Sequence, residues 1–467
     1  MTTRKFADLY SKSDIQRERA VLGNESYRSS FRRDYARLLH SPAFRRLQGK
    51  TQLYPGTESD FFRNRLTHSL EVAQIAKGIA ERLNSSNRFF KQHQLDTDLI
   101  EFAGLAHDLG HPPFGHNGEL ALDECMKSWG GFEGNAQTLR LLSKVEKKDT
   151  NDDSFQGIKE DGQDARLGLN LTYRSLAAIL KYDREISEHR KTEAKLEKGY
   201  YASEAGLVAR IKQKVAASRP ADQKFKTVEC QIMDLADDIA YSTYDLEDGL
   251  KGEFFDPLSI LSVLRTDTKL LERVSDKVRS EVPRATPAKI VKAISEVFAV
   301  NIDGLPKGTR KGDISILDAY KTSKILCTNG YARAALTSSL INKFIKGIDV
   351  EVDKQFPMLS KVTLTEDLKI QVEALKHLNY EMTIMSPRLK LVEYRGYDIV
   401  KGIFEALSTN DGHLLLPQDY RTYYSHLQTE KERMRLICDF VAGMTDRYAV
   451  EFFERLKNGA QSIFKPF

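Results

Sequence analysis

Apolar residues returning at helical spacing constrain this chain more than any other feature. Between 65 and 83, Leu66, Leu70, Ile75, Ile79 and Leu83 recur mostly four residues apart, the stripe of an amphipathic helix. Leu99, Ile100, Phe102, Leu105 and Leu109 repeat the pattern over 98–109, and Gly110 with Pro112 and Pro113 marks the stop. Residues 172–182, 228–250, 333–346, 366–380, 396–407 and 429–457 are read as further helices. Strand signals are confined to 357–364 and Leu414–Leu416, and the polar stretches 144–166 and 302–313 are read as loops or mobile inserts. The expectation is an all-α, mainly helical protein.

The 467 residues, 41% hydrophobic and 29% charged, can bury a large core. The opening MTTRKFADLYSKSDIQRERA carries charges throughout and does not read as a signal peptide. No apolar run reaches the roughly 20 residues that a bilayer span needs, so a cytoplasmic protein is expected. Cys125, Cys230, Cys327 and Cys438 lie far apart, which excludes a zinc knuckle and points to idle thiols. Net charge is only +5, yet residues 1–50 hold twelve Lys/Arg against five Asp/Glu. That local excess suits a phosphate-bearing partner; a solvated helix face is the plainer explanation.

The chemistry concentrates in His107-Asp108-Leu109-Gly110-His111-Pro112-Pro113-Phe114-Gly115-His116, which holds three of the ten histidines. Adjacent His and Asp near a helix end can reach one metal, since the second residue turns only about 100° around the axis. Imidazole with carboxylate suits manganese, iron, nickel, cobalt or zinc, and carboxylate with water suits magnesium. Two ligands are too few, so others must come from elsewhere. His68 supplies one, with Arg65 three residues earlier on the same helix face. A cation beside a metal ligand makes sense if phosphate oxygens share the space. Asp237 supplies the fourth, and Tyr241 and Asp245 follow at i+4 and i+8 on its face. His40, His93, His189, His377, His413 and His426 lack such neighbours and are read as surface or core residues.

With these words in this order, the chain resembles the HD-domain superfamily of metal-dependent phosphohydrolases. Within it, the chain is similar to the bacterial deoxyguanosine triphosphate triphosphohydrolases. The resemblance rests on Arg45 through Gln52, Arg65 through Ser69, His107 through His116, Phe132 through Gln137, Leu171 through Arg174, Lys181-Tyr182, Lys198 through Tyr201, and Leu235 through Tyr241. It runs from about residue 28 to 250 and returns at Val441 through Asp446. It implies an N-terminal basic helical segment (1–60), an HD core (61–255) and a C-terminal helical region (256–467).

The resemblance also implies a reaction and its residues. A deoxynucleoside triphosphate, dGTP first among them, is cut between the 5′ oxygen and the α-phosphorus to give deoxynucleoside and tripolyphosphate. His68, His107, Asp108 and Asp237 hold a divalent ion, manganese or magnesium foremost. His116 serves as the acid for the leaving oxygen or helps to activate water, Glu119 orients it, and His111 contacts the phosphates. Arg65, Lys181, Tyr182 and Lys198 grip the triphosphate. Gln52 and Asp245 bind the 3′ hydroxyl, and Tyr241 packs under the deoxyribose. Asn135 stands where a wider relative has a histidine behind the metal shell. Leu391 through Tyr397, Arg433 and Arg435 are candidates for base reading. Homo-oligomers, hexamers among them, and activation by single-stranded DNA or a dNTP effector are implied as well. Three rivals remain: a broad-specificity dNTP triphosphohydrolase regulated by a dNTP or single-stranded DNA, another HD-type nucleotide phosphohydrolase, and a nucleic-acid-binding protein with a vestigial site.

Overall fold

The computed structural model describes residues 8–20, 27–53, 62–153, 155–188, 190, 195–298, 316–384 and 387–457. Among them are nineteen α-helices and one two-stranded sheet, Ile348–Glu351 with Lys361–Leu364. The all-α expectation holds. No helix among the described residues is long and apolar enough to cross a membrane, and the four cysteines are free thiols.

The chain divides into two compact units, and the helix Val228–Lys251 crosses the division between Met233 and Asp234. The first unit gathers residues 1–233, 352–361 and 391–467. In it the helices Arg65–Ser86 and Thr97–Ala106 pack extensively on each other. These helices approach closely because Gly104 has no side chain: a Cβ there would sit 2.6 Å from the Cα of Ala73. Ser30–Leu39 packs against Thr97–Ala106. A second core joins distant segments of the same unit. Ala121, Leu122 and Met126 of the helix Gly115–Met126 meet Ile403, Phe404, Ile437, Val441 and Phe452 from near the C-terminus. The second unit holds residues 234–351 and 362–390, with helices Thr268–Glu281 and Pro287–Phe298 both packed on Glu366–Ile384.

Several boundaries differ from the periodicity, each for a local reason. The segment 429–457 is two helices, Glu430–Ala442 and Asp446–Leu456, because Gly443 closes the first and the Thr445 side chain caps the second by accepting from Tyr448 N. In 172–182 only Tyr173–Ala178 is helical. Pro357 starts a 3-10 turn over Pro357–Leu359, leaving Lys361–Leu364 as the strand. Leu414–Leu416 is no strand; Gly412–Leu415 is a 3-10 turn. The stretch 144–166 is irregular but anchored, with Ile158 buried against Leu427 and Leu436. The segment 302–313 lies outside the described residues.

Candidate active site

Asn64 sets the phase of the first site helix. Its side chain accepts from Thr67 N at 3.0 Å, and Thr67 Oγ1 accepts from Asn64 N at 3.1 Å, a reciprocal cap. The helix therefore begins at Arg65 and buries both Arg65 and His68 within its first turn. His107 caps the end of Thr97–Ala106, and its ring lies 5.5 Å, centre to centre, from that of His68. His107 Nδ1 is 2.7 Å from the Gly104 carbonyl oxygen. A carbonyl only accepts, so Nδ1 carries the proton and Nε2 presents a lone pair.

Asp108 shows what that lone pair faces. Its Oδ2 accepts from Arg65 Nη1 at 2.5 Å. Its Oδ1 lies 3.4 Å from His107 Nε2 and 3.2 Å from His111 Nδ1. A carboxylate oxygen and an unprotonated imidazole nitrogen repel one another unless a cation lies between them. His68, His107 and Asp237 are all buried, and each places one ligand atom within 4.8 Å of the others. Nitrogen and oxygen donors in this combination fit a divalent transition ion or magnesium. Three of the four expected ligands thus converge, and Asp108 adjoins His107.

Beyond Asp108 the chain turns sharply. Gly110 permits this, since a Cβ would come within 2.2 Å of the Gly134 carbonyl oxygen, and Gly110 N donates to Thr138 Oγ1 at 3.0 Å. Burial, helped by the Arg65 charge, pushes the pKa of His111 down to about 4, so this ring is neutral near pH 7. Phe114 (φ 62°) and Gly115 (φ 58°) both take the left-handed conformation that opens the helix Gly115–Met126. His116 rides on its first turn with 64% of its side chain exposed. Its Nδ1 lies 3.2 Å from Glu119 Oε2, and Glu119 Oε1 accepts from Gly134 N at 2.8 Å. Burial alone would raise the pKa of Glu119, but those hydrogen bonds and the nearby His111 bring it below its ordinary value. An ionised Glu119 offers the His116 ring an acceptor for an Nδ1 proton.

The remaining expected residues are placed as follows. Gln52 is half-buried, next to Thr51. Lys181 and Tyr182 are half-buried, and the exposed Lys198 stands 5.3 Å above the Tyr182 ring. A bridge between Glu185 and Tyr200 holds their two segments side by side. Tyr241 is half-buried and Asp245 buried on Val228–Lys251, one and two turns after Asp237. The base-reading candidates fare differently. Arg435 is buried, stacked 3.8 Å from the Tyr201 ring centre, and donates to the Gly131 carbonyl at 2.7 Å. Arg433 donates to the Leu427 carbonyl. Both brace their surroundings. Tyr394 is exposed, and the side chains of Val392 and Glu393 lie outside the described residues.

Residues 65–242 match the HD domain, and residues 362–455 match the Phosphohydrolase-associated domain. The chain is 45% identical to the deoxyguanosinetriphosphate triphosphohydrolase-like protein 2 of Mesorhizobium japonicum, over 97% of this chain and 99% of that one. It is 31% identical to a deoxyguanosinetriphosphate triphosphohydrolase-like protein of Aliivibrio fischeri, over 95% and 96%. It is 32% identical to one of Shewanella baltica, over 92% of each. The chain belongs to the deoxyguanosinetriphosphate triphosphohydrolase-like family of HD-domain proteins.

Membership in the HD-domain family makes two residues outside the HD match notable. Lys50 Nζ donates to the His111 carbonyl at 2.5 Å and to the Ala442 carbonyl at 2.8 Å. Burial and the charges of Arg46 and Arg65 bring its pKa down to about 7. Asp446, within the Phosphohydrolase-associated match, accepts from Thr51 N at 2.8 Å through Oδ2 and from Phe114 N at 2.9 Å through Oδ1. One carboxylate thereby fixes the residue beside Gln52 and the residue that launches the His116 helix. Glu133, inside the HD match, also supports the site: it caps Gly134–Arg140 by accepting from Ala136 N at 2.8 Å, and it accepts from Asn135 Nδ2 at 2.6 Å. All three residues stand inside the sequence motifs described above, where residue type alone gives none of them a role. The only signal was their position in the Gly49-Lys50-Thr51, Phe132-Glu133 and Thr445-Asp446 words, which says nothing of who meets whom.

Proposed function

We propose that this chain is a metal-dependent deoxynucleoside triphosphate triphosphohydrolase, with dGTP as its first substrate. The observation that carries the reading is the convergence of His68, His107 and Asp237 beside the buried Arg65–Asp108 pair. Arg65 holds Asp108 through Nη1, and its planar fork of donors suits a phosphate oxygen beside the cation site as well. The names of the relatives at 45%, 31% and 32% identity supply the substrate class.

In this reading His68, His107, Asp108 and Asp237 hold the ion, manganese or magnesium foremost. When bound, it lowers the pKa of a coordinated water and polarises the α-phosphate. Arg65, Lys181, Tyr182 and Lys198 take the triphosphate oxygens, where Arg65 offers planar paired donors, and the neutral His111 donates or accepts beside them. Water's oxygen bonds to the α-phosphorus and gives its proton up to solvent, the bond from phosphorus to the 5′ oxygen breaks, and that oxygen takes a proton from a donor that solvent later reprotonates. His116, exposed toward solvent and held by Glu119, is the donor. Gln52 and Asp245 hold the 3′ hydroxyl, and the Tyr241 ring fills the space that a ribose 2′ hydroxyl would need.

The test is a product assay over the four dNTPs and GTP with manganese, magnesium, iron, cobalt, nickel or zinc. Tripolyphosphate and deoxynucleoside in equal amounts are expected, with GTP inert. Orthophosphate or pyrophosphate as the first product sinks the reading in favour of another HD phosphohydrolase.

A further inference from the structure

The segment Leu391 through Tyr397, a base-reading candidate by sequence, approaches the corner that launches the His116 helix. Its Gly396 is buried in the interior of the helix Pro387–Leu407, where glycine is the least favoured residue after proline. The space it leaves accounts for it. A Cβ on Gly396 would lie 2.7 Å from Phe114 Cβ and 2.8 Å from Phe114 Cγ. These atoms are the root of the ring and not its free end, so Phe114 could give way only by moving its backbone. That backbone is already constrained. Phe114 takes the left-handed conformation (φ 62°, ψ 23°), which a bulky residue seldom adopts and which persists where its surroundings impose it. Its N–H is held by Asp446 Oδ1 at 2.9 Å, and its side chain packs against the second core. A further tie joins the same two helices. Glu124, near the end of Gly115–Met126, accepts from Lys401 Nζ at 2.8 Å and from the Tyr397 hydroxyl.

We infer that the helix Pro387–Leu407 positions His116, with Gly396 as the residue that seats Phe114 and so sets the direction in which the His116 helix leaves its corner. A glycine beneath an ordinary core ring would serve packing alone. Here the ring belongs to the residue whose φ starts the helix, and His116 follows two residues later. Filling the seat therefore displaces the proposed proton donor before it loosens the core. His107 and Asp108 precede the turn at Gly110, whose N–H is held by Thr138, so they should be spared. This role rests on the proposed reaction, in which His116 gives the leaving oxygen its proton.

The experiment compares Gly396→Ala with Gly402→Ala in the full-length protein. Gly402 lies on the same helix, and a Cβ there would meet the outer ring of Phe453, nearest at Cε2, 2.5 Å away. Both substitutions raise helix propensity alike. Gly396→Ala should lower kcat by about ten- to a hundredfold, the size expected when a reacting group moves by about 1 Å, with KM and bound manganese little changed. Gly402→Ala should retain the wild-type kcat. In Phe114→Gly, where glycine accepts the left-handed corner and no ring root remains to be struck, adding Gly396→Ala should change kcat by less than about twofold. The same should hold in His116→Ala, because a donor already absent cannot be displaced. A full loss in either background, a wild-type kcat in Gly396→Ala, or an equal loss in Gly402→Ala overturns the role. If Gly396→Ala does not fold, Tyr397→Phe with Lys401→Met decides, since it frees Glu124 without crowding: kcat should fall, though not in His116→Ala, and an unchanged kcat overturns the role. Placement is also read without turnover. In protein labelled with carbon-13 in its histidine rings, the His116 signal, assigned by its loss from His116→Ala, should move in Gly396→Ala and stay in Gly402→Ala; a stationary signal overturns the role. A wild type that yields no tripolyphosphate sinks the proposed function and leaves this signal to decide.

Discussion

His107–Asp108 and His116 stand in one short stretch of sequence but are held in opposite ways. The first pair has a tie within its own helix, His107 Nδ1 on the Gly104 carbonyl one turn back, and among its remote partners Arg65 takes Asp108 Oδ2 and Thr138 Oγ1 donates to the His107 carbonyl. His116 sits beyond a left-handed corner that distant groups hold. Lys50 takes the carbonyl of His111, Asp446 takes the N–H of Phe114, and Glu119 below His116 is tied to Gly134. His107 and Asp108, the proposed ligands, thus take their places at a helix end, while His116, the proposed proton donor, depends on groups remote in sequence: Lys50, Gly134 and Asp446. The two halves of the site should therefore fail separately.

The largest expected effect is on the ligand side. His107→Ala should abolish turnover and lower the bound divalent ion, measured by elemental analysis of the purified protein. His116→Ala should keep the ion and lower kcat by about 10²–10⁴-fold, the usual range for a proton-transfer group. Loss of the ion from both variants would break the distinction between the two halves.

Asp446 tests the remote ties directly. Asp446→Asn leaves one acceptor for two backbone donors and turns an NH₂ toward Thr51 N or Phe114 N. A buried donor left unmade costs about 1–3 kcal/mol, and a shift of about 1 Å in a reacting group can cost roughly 10²-fold in rate. The expectation is a kcat lower by up to about that factor, with KM and metal content little changed. An equal fall in metal content would show that Asp446 supports the whole site and not the donor loop.

The same contrast explains what could be read from sequence. The helices Arg65–Ser86 and Val228–Lys251 were legible because their apolar spacing is continuous, and His68, His107 and Asp237 were legible because metal chemistry restricts residue types. Family resemblance, not spacing, supplied the roles of His116 and Glu119. The end of Thr97–Ala106 at His107, the break at Gly443–Thr445 and the 3-10 turn Gly412–Leu415 were missed because caps and turns override hydrophobic period there. Asp446 and Lys50 were missed for another reason. An acceptor for two backbone N–H groups carries no signature of its own, since its partners sit some 395 and 332 residues away. Arg435 stood in sequence only as a candidate for base reading; its stacking on the buried Tyr201 and its bond to the Gly131 carbonyl could not be read there, because nothing in sequence marks an arginine that packs on a tyrosine.

Glu133 underlies both halves, and its effect should be the smallest and the same for each. It caps Gly134–Arg140, whose Thr138 Oγ1 donates to the His107 carbonyl at 3.2 Å and whose Gly134 N holds Glu119. Burial, with the neighbouring Glu119 carboxylate, lifts the pKa of Glu133 from 4.5 to about 7. Between those values the folded protein keeps a proton that the unfolded chain releases. The stabilisation is present in full below pH 4.5 and is lost as pH rises through 7. Glu133→Gln is neutral at every pH and retains an oxygen to accept from Ala136 N, so it should not suffer that loss. Urea unfolding of both proteins at pH 5 and pH 7.5 should show the variant gaining on the wild type at the higher pH, with metal content and the effect of His116→Ala unaltered. Parallel stabilities at the two pH values would mean that Glu133 is ionised in the folded protein throughout, and that the capping carboxylate contributes its charge as well as its oxygen to the floor of the site.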